Sequence, residues 1–150
     1  MNPGGRPGQQ GNAVHHQEVL LSATEMKLEV VQVPVTDVDA AKRFYTEVAG
    51  FACDHDAQVS ETTRVVQLTP PGSGCSIVIG TGMTEMPPGS LQGLQLTVRD
   101  MDGVRGRLIA AGLDVSEVKV LGREGHPGFK HAWFADPDGN GWVLQELSRS

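Results

Sequence analysis

Residues 33–51 read VPVTDVDAAKRFYTEVAGF and contain, in one run, the end of a strand, a helix start, a helix and a helix stop. The stretch that leads into this segment is rich in β-branched residues, which is typical of a strand. Asp37 or Asp39 is placed to cap the amphipathic helix that follows, and Gly50 is placed to end it. The segment therefore predicts a strand followed directly by a helix.

The same plan recurs in the second half of the chain. Residues 94–113 read LQLTVRDMDGVRGRLIAAGL, with Asp100 and Asp102 at the cap positions and Gly112 at the stop. A repeat of this length indicates two copies of one supersecondary unit, neither of which could bury its apolar face alone.

Three strand-like runs follow the helix in each half. In the first half they are FACDHDAQV (51–59), TTRVVQLT (62–69) and CSIVIG (75–80). In the second half they are DVSEVKV (114–120), KHAWFA (130–135) and GWVLQEL (141–147). PPGSG (70–74) and DPDGN (136–140) form the turn before the last strand of each half.

Each half is thus predicted to be a βαβββ module, which gives an α+β fold with two tandem modules. Module one spans residues 27–81 and module two spans residues 91–147 of one domain, residues 26–148. If Pro71 is aligned with Pro137, a constant offset relates the ends of the two modules.

Composition narrows the classes of partner. The chain has 150 residues and a net charge of −6, and its basic residues are scattered, so nucleic acid is not an expected partner. No apolar run approaches the roughly 20 residues that a membrane span needs, so no membrane association is expected. Cys53 and Cys75 have no disulfide or metal spacing and no secretory signal is present, so we expect a cytoplasmic protein. Residues 1–25 begin with a run rich in Gly, Pro, Gln and Asn and are predicted to form a flexible arm.

The repeat and two of its fragments resemble the vicinal-oxygen-chelate superfamily, which contains the glyoxalases, the bleomycin-resistance proteins and the extradiol dioxygenases. The fragments are VPVTDVDAAKRFYTEVAGF (33–51) and FADPDGNGWVLQEL (134–147), and the resemblance covers residues 27–147. It implies a curved mixed sheet around a concave cavity.

In this superfamily a divalent metal is typically held by His, Glu or Gln side chains from the first and fourth strands of each module. The resemblance places these four metal positions at Val30, Ile77, Gly93 and Val143. Aliphatic side chains and glycine carry no lone pair for a cation, so we expect no metal and no cofactor. The remaining potential ligands lack HxH or HExxH spacing; they are His55, His126, His131 and Glu146.

The resemblance also implies which side chains line the cavity. Residues two along a strand from a metal position share its face; they are Gln32, Ile79, Gln95 and Gln145. The residue three before the aspartate of DPDG, which is Trp133, is expected to point inward, with His131 beside it and Gln67 as its partner in the repeat. Two other interpretations remain open: the amides could pair with one another or with backbone, and Trp133 could be a core aromatic.

These features predict a metal-independent protein that binds a small polar or aromatic molecule and sequesters an antibiotic or secondary metabolite, as in the bleomycin-resistance branch. The glutamines would form hydrogen bonds with polar groups of the ligand, and Trp133 would provide a surface on which its ring could stack. The resemblance further implies a homodimer with cavities between modules of different subunits. The alternative is an enzyme of the same fold, a glyoxalase-like lyase, isomerase or dioxygenase that uses His131 or atypical metal ligands.

Overall fold

The structure is a computed structural model that describes residues 22–122 and 124–147. The prediction of a flexible arm falls mainly on residues 1–21 and so lies outside the described residues. Within them the chain forms two four-stranded mixed sheets and two helices, which confirms the α+β class and the two βαβββ modules. Neither described helix is long and apolar enough to cross a membrane.

Module one contains four strands and one helix. Their bounds are β1 Val30–Gln32, α1 Val38–Arg43, β2 Ala52–Gln58, β3 Arg64–Thr69 and β4 Ser76–Thr81. A single π-helical turn, Phe44–Val48, continues α1. The strand order is β1-β4-β3-β2, with β1 parallel to β4 and the other neighbours antiparallel.

Module two has the same arrangement. Its elements are β5 Leu94–Val98, α2 Met101–Ala110, β6 Lys119–Leu121, β7 Phe129–Ala135 and β8 Gly141–Glu146. The strand order is β5-β8-β7-β6, with β5 parallel to β8.

The predicted helix caps are present in both modules. Asp37, rather than Asp39, accepts the Ala40 backbone N–H at 3.1 Å, and Asp100 accepts that of Gly103 at 3.0 Å. Gly50 follows the first helix with φ +84°, a left-handed conformation that glycine adopts without a Cβ clash. The two caps are equivalent, so the repeat seen in sequence is a repeat of local hydrogen bonding.

One core serves both modules and lies on the helix-covered side of each sheet. Four aromatic rings from the two modules meet there, with neighbouring ring centroids 5.5–6.0 Å apart; they are Tyr45, Phe51, Phe134 and Trp142. Trp142 is buried in this core. Each module therefore completes the burial of the other.

A buried hydrogen-bond network joins the modules at the DPDGN turn. The carboxylate of Asp136 accepts the Tyr45 O–H at 2.8 Å, the Asn140 side-chain N–H at 2.8 Å, and the backbone N–H groups of Asn140 and Asp138 at 2.9 Å each. Trp142 in turn donates its indole N–H to the Tyr45 hydroxyl at 2.9 Å. Burial, together with the negative charge of Asp136, raises the pKa of Tyr45 well above its usual range. The network fixes the start of β8 against the π-helical turn that continues α1.

A second polar cluster lies at the surface of module one. The guanidinium of Arg64 donates to both carboxylate oxygens of Asp56, at 3.0 and 2.9 Å, and to Asp39 at 2.9 Å. Lys42 donates to Asp56 at 2.7 Å. Hydrogen bonds from Arg64 and Lys42 lower the pKa of Asp56 well below its usual range.

The constant offset between the modules is wrong for their last strands. Six residues, 70–75, connect β3 to β4, whereas five, 136–140, connect β7 to β8. One additional residue reverses the side of the sheet to which every later side chain points. Ile77 (4% exposed) and Ile79 (1% exposed) therefore lie in the core instead of lining the cavity. Val78 takes the position equivalent to Val143.

The strand predicted over 114–120 is also shorter than expected. Only Lys119–Leu121 is a strand, and it pairs with β7. Before this strand, Ser116 makes two hydrogen bonds to Trp133 of β7. Its backbone N–H donates to the Trp133 carbonyl at 2.9 Å, and its hydroxyl oxygen accepts the Trp133 backbone N–H at 2.9 Å.

Candidate ligand-binding site

Each sheet packs one face against the shared core, and we call its other face the open face. In β5, Leu94, Leu96 and Val98 pack against the core, whereas the alternate residues Gln95 and Thr97 are exposed. The same alternation applies to β7 and β8, because Ala132, Phe134, Trp142 and Leu144 are buried. The open face of module two accordingly carries four half-buried residues, His131, Trp133, Val143 and Gln145.

Two glutamines of this open face are joined. Gln95 of β5 donates its side-chain N–H to the amide oxygen of Gln145 of the neighbouring β8. The bond uses one half of each amide, so the Gln95 oxygen and the Gln145 nitrogen remain for another partner. Mutual pairing, which was one of the open interpretations, thus occurs without exhausting either group.

His131 and Trp133 form an aromatic pair beside the amides. Their rings are nearly parallel, with centroids 6.0 Å apart and an interplanar angle of 20°. The Nδ1–H of His131 donates to the Phe129 carbonyl at 2.9 Å, since a carbonyl oxygen can only accept. In the neutral ring the free lone pair is then on Nε2. Trp133 is half-buried on the open face and is not a core aromatic.

A cleft of about 510 Å³ opens next to Trp133. Its lining includes the two metal positions of module two and three polar residues that the sequence analysis did not single out, namely Gln92, Asp114 and Ser116. Asp114 and Ser116 could have been found from the strand-like alternation of 114–120. No sequence signal identifies Gln92. Its side chain is held in the cleft by two hydrogen bonds, from its amide N–H groups to the carbonyls of Gly139 at 2.9 Å and Gly89 at 3.3 Å.

The two other predicted glutamines, Gln32 and Gln67, lie on the open face of module one. Register places Gln32 and Gln67 on either side of Val78, just as Gln95 and Trp133 flank Val143. The predicted wall of a single cavity is therefore divided, within one chain, between two sheets.

The side chains at the four metal positions do not fit a metal ion. By register these positions are Val30, Val78, Gly93 and Val143, and none of their side chains offers a nitrogen, oxygen or sulfur donor. Gly93 has φ +87°, in the left-handed region that disfavours any residue with a Cβ.

The alternative ligands named from sequence do not assemble either. Glu146 accepts the backbone N–H of Met101 at the start of α2, at 3.0 Å. His126 accepts the Gly128 N–H through Nδ1 at 2.9 Å. Within residues 22–122 and 124–147, no group of three His, Cys, Asp or Glu side chains is placed to hold a metal ion.

Comparisons with known proteins agree with the fold. The family profile described as Glyoxalase/Bleomycin resistance protein/Dioxygenase superfamily matches residues 27–144. Among solved structures, TnmS3, an antibiotic binding protein from Streptomyces sp. CB03234, is 35% identical with a TM-score of 0.71, over 85% of this chain and 100% of that one.

Two further structures are similar. A glyoxalase/bleomycin resistance protein from Streptomyces sp. CB03234 is 37% identical, with a TM-score of 0.65 over 79% of this chain and 99% of that one. A superfamily member from Sphaerobacter thermophilus DSM 20745 is 28% identical, with a TM-score of 0.72 over 82% and 98%. No curated protein sequence matches the chain. On the profile match and these identities, the chain belongs to the glyoxalase/bleomycin resistance protein/dioxygenase superfamily.

Proposed function

We propose that the protein binds a small polar or aromatic molecule without a metal, and that it sequesters an antibiotic or secondary metabolite. The observation that carries this proposal is the open face of module two, where the near-parallel rings of His131 and Trp133 stand next to an amide pair and a cleft of about 510 Å³. That volume lies within the range typical of small-molecule sites. Aromatic rings can stack on a ligand, and amides with an unbonded oxygen or N–H can hydrogen-bond to it, without any covalent bond being formed or broken.

The absence of donor side chains at the four metal positions supports binding without a metal. A catalytic metal needs about three protein ligands and an open position. Val30, Val78, Gly93 and Val143 supply none. The 35% identity to TnmS3, described as an antibiotic binding protein, favours an antibiotic-like molecule as the guest.

The proposal includes a cytoplasmic homodimer in which each open face meets a module of the second copy. Three apolar side chains near β1 are exposed in the single chain, at 94%, 69% and 37%; they are Met26, Leu28 and Val30. A second copy that covered them would also bring Gln32 and Gln67 towards a partner's site. Cys53 and Cys75 are both free thiols, as expected of a reducing compartment. Sedimentation equilibrium tests the dimer directly.

The binding test is equilibrium dialysis of the full chain against a panel of aromatic metabolites and glycopeptide antibiotics. We expect saturable binding of at least one compound, with quenching of tryptophan fluorescence. Trp133→Ala should weaken that binding by at least about fivefold, because a stacked aromatic contact is worth about 1–3 kcal/mol.

The control for Trp133→Ala is Val59→Ala, which removes an exposed apolar side chain from the turn after β2. It should leave affinity unchanged. If no compound on the panel bound saturably, the proposed function would be refuted. If both variants weakened binding alike, the assignment of Trp133 as the stacking surface would be wrong.

One observation favours a second candidate, an enzyme of the same superfamily. The free lone pair of His131 lies at Nε2, which is the arrangement a general base needs. A lyase, isomerase or dioxygenase activity that is lost in His131→Asn while the guest still binds would support it. Activity lost on chelation and restored by added metal would instead support atypical metal ligands.

A further inference from the structure

The cleft beside Trp133 presents mainly hydrogen-bond acceptors, because all but one of its side-chain donors are already engaged. Gln92 gives its amide N–H groups to the carbonyls of Gly139 and Gly89. Its free oxygen stands next to Gly141, so close that a methyl group at that position would clash with it. Ser116 donates its hydroxyl to the Glu117 carbonyl at 2.9 Å.

The indole groups of the lining are neutral. Trp142 donates its N–H to Tyr45 in the core, which leaves the N–H of Trp133 as the remaining side-chain donor of the lining. A neutral N–H does not balance a carboxylate. The polar character of the cleft is therefore set by Asp114 and by the Gln92 oxygen.

The charge of the cleft points the same way. Asp114 is its one charged lining residue among those that the structure describes. Two basic residues come near without lining it. Arg105 donates to the Ser116 carbonyl at 2.8 Å from α2, and Lys119 stands opposite His131 in β6. With a net charge of −6 on the chain, an anion would meet repulsion and unmatched acceptors here.

We propose that this cleft selects a protonated amine carried on a planar aromatic ring system, with Asp114 as its counter-ion, the Gln92 oxygen as a second acceptor and Trp133 as the stacking surface. The inference rests on the proposed function and names the chemical class of its guest. A cation held near the face of a tryptophan gains further from the negative face of the ring.

The test uses three probes that share one tricyclic ring system and differ in charge: 9-(aminomethyl)anthracene, 9-anthracenemethanol and 9-anthracenecarboxylate. Equilibrium dialysis of the full chain at pH 7 should rank their affinities as amine, then alcohol, then carboxylate. The advantage of the amine over the alcohol should be roughly fivefold, as for about 1 kcal/mol from an exposed ion pair. It should shrink as salt is added, because exposed charges are screened.

Asp114→Asn keeps the shape of the side chain and removes its charge. It should abolish the advantage of the amine and leave affinity for the alcohol within twofold. Glu61→Gln, which removes one exposed negative charge in the turn between β2 and β3, is the control for net charge and should leave the ranking unchanged.

The outcomes separate this inference from the proposed function. Equal binding of all three probes, or tighter binding of the carboxylate, would overturn the amine preference while leaving a binding protein in place. Equal loss of amine and alcohol in Asp114→Asn would also overturn it, by showing a structural role for the aspartate. If none of the three probes bound, both the inference and the stacking surface on which the proposed function depends would be contradicted.

Discussion

The two open faces follow the same strand plan but treat their polar side chains differently. In module one, Gln67 donates to the Ser76 hydroxyl at 3.2 Å, and Ser76 is 2.6 Å from the Thr69 hydroxyl. Thr69 in turn bonds to Asp54. Ser76 and Val78 are buried on this face, whereas their counterparts Gly141 and Val143 are only half-buried.

The comparison teaches that position alone does not make a recognition surface. A face whose polar groups already bond to one another keeps fewer free donors and acceptors for a ligand. At the position where module one has Gln67, module two has Trp133. The ring of Trp133 does not make the side-chain hydrogen bond that Gln67 makes to Ser76. The open face of module two therefore keeps its polar groups available and gains a stacking surface.

The largest expected effect comes from breaking the junction that holds both faces in place. Asp136→Ala should lower the free energy of unfolding by about 3 kcal/mol, because it leaves buried donors of Tyr45 and Asn140 unsatisfied. Urea denaturation followed by circular dichroism measures the loss. Asp102→Asn, at a side chain 80% exposed in α2, is the control and should cost less than about 0.5 kcal/mol. Equal losses would show that the Asp136 network does not stabilise the junction.

The contrast between the faces can be sharpened with one pair of matched variants. Gln145→Ala should weaken binding of the compound identified by equilibrium dialysis by roughly fivefold, because it removes about one hydrogen bond to that compound. Gln67→Ala should change it by less than about twofold, because its amide donor is already bonded to Ser76. Isothermal titration calorimetry compares them. If Gln67→Ala weakened binding as much as Gln145→Ala, the division of roles between the faces would be wrong.

The smallest expected effect concerns acid stability and belongs to module one. The pKa of Asp56 is lowered by Arg64 and Lys42, so its contribution is complete above the unfolded pKa of about 4 and is lost as pH falls through the lowered folded pKa. Asp56→Asn should therefore lower the free energy of unfolding at pH 7 by no more than about 1 kcal/mol, because solvent screens the cluster, and should lower Tm with it. The difference in Tm from wild type should shrink below pH 4. Thermal denaturation between pH 7 and 2 measures it.

Asp102→Asn provides the corresponding measurement in module two, where the carboxylate is 4.0 Å from Lys130. Its Tm should differ less from wild type. A Tm difference for Asp56→Asn that stayed constant on acidification would contradict the role given to its charge.

Local signals in the sequence predicted most of the fold. Cap residues, the glycine stop and alternating strands each depend on neighbours in the chain, and Asp37, Asp100 and Gly50 act as expected. The error at Ile77 arose because one additional residue in a turn changes the facing of a whole strand, and two turns rich in Gly and Pro look alike in sequence.

The site was harder to predict because its members come together only through pairing. Trp133 was expected on the open face from the family pattern. Asp114 reaches the cleft because Ser116 docks on the Trp133 backbone, and Gln92 because it bonds to the turn at Gly139. No periodicity in the sequence encodes such long-range contacts.

The left-handed backbone at Gly93 bears on how readily this chain could acquire a metal centre, by evolution or by engineering. Val30, Val78 and Val143 are strand residues without a left-handed backbone, so a histidine at any of these positions would need no change of backbone conformation. A histidine at 93 would have open space around it but would carry about 1–2 kcal/mol of backbone strain before it met any ion. A metal centre at these four positions would therefore need three simple substitutions, whereas the fourth position, at Gly93, would also need a different backbone conformation before β5.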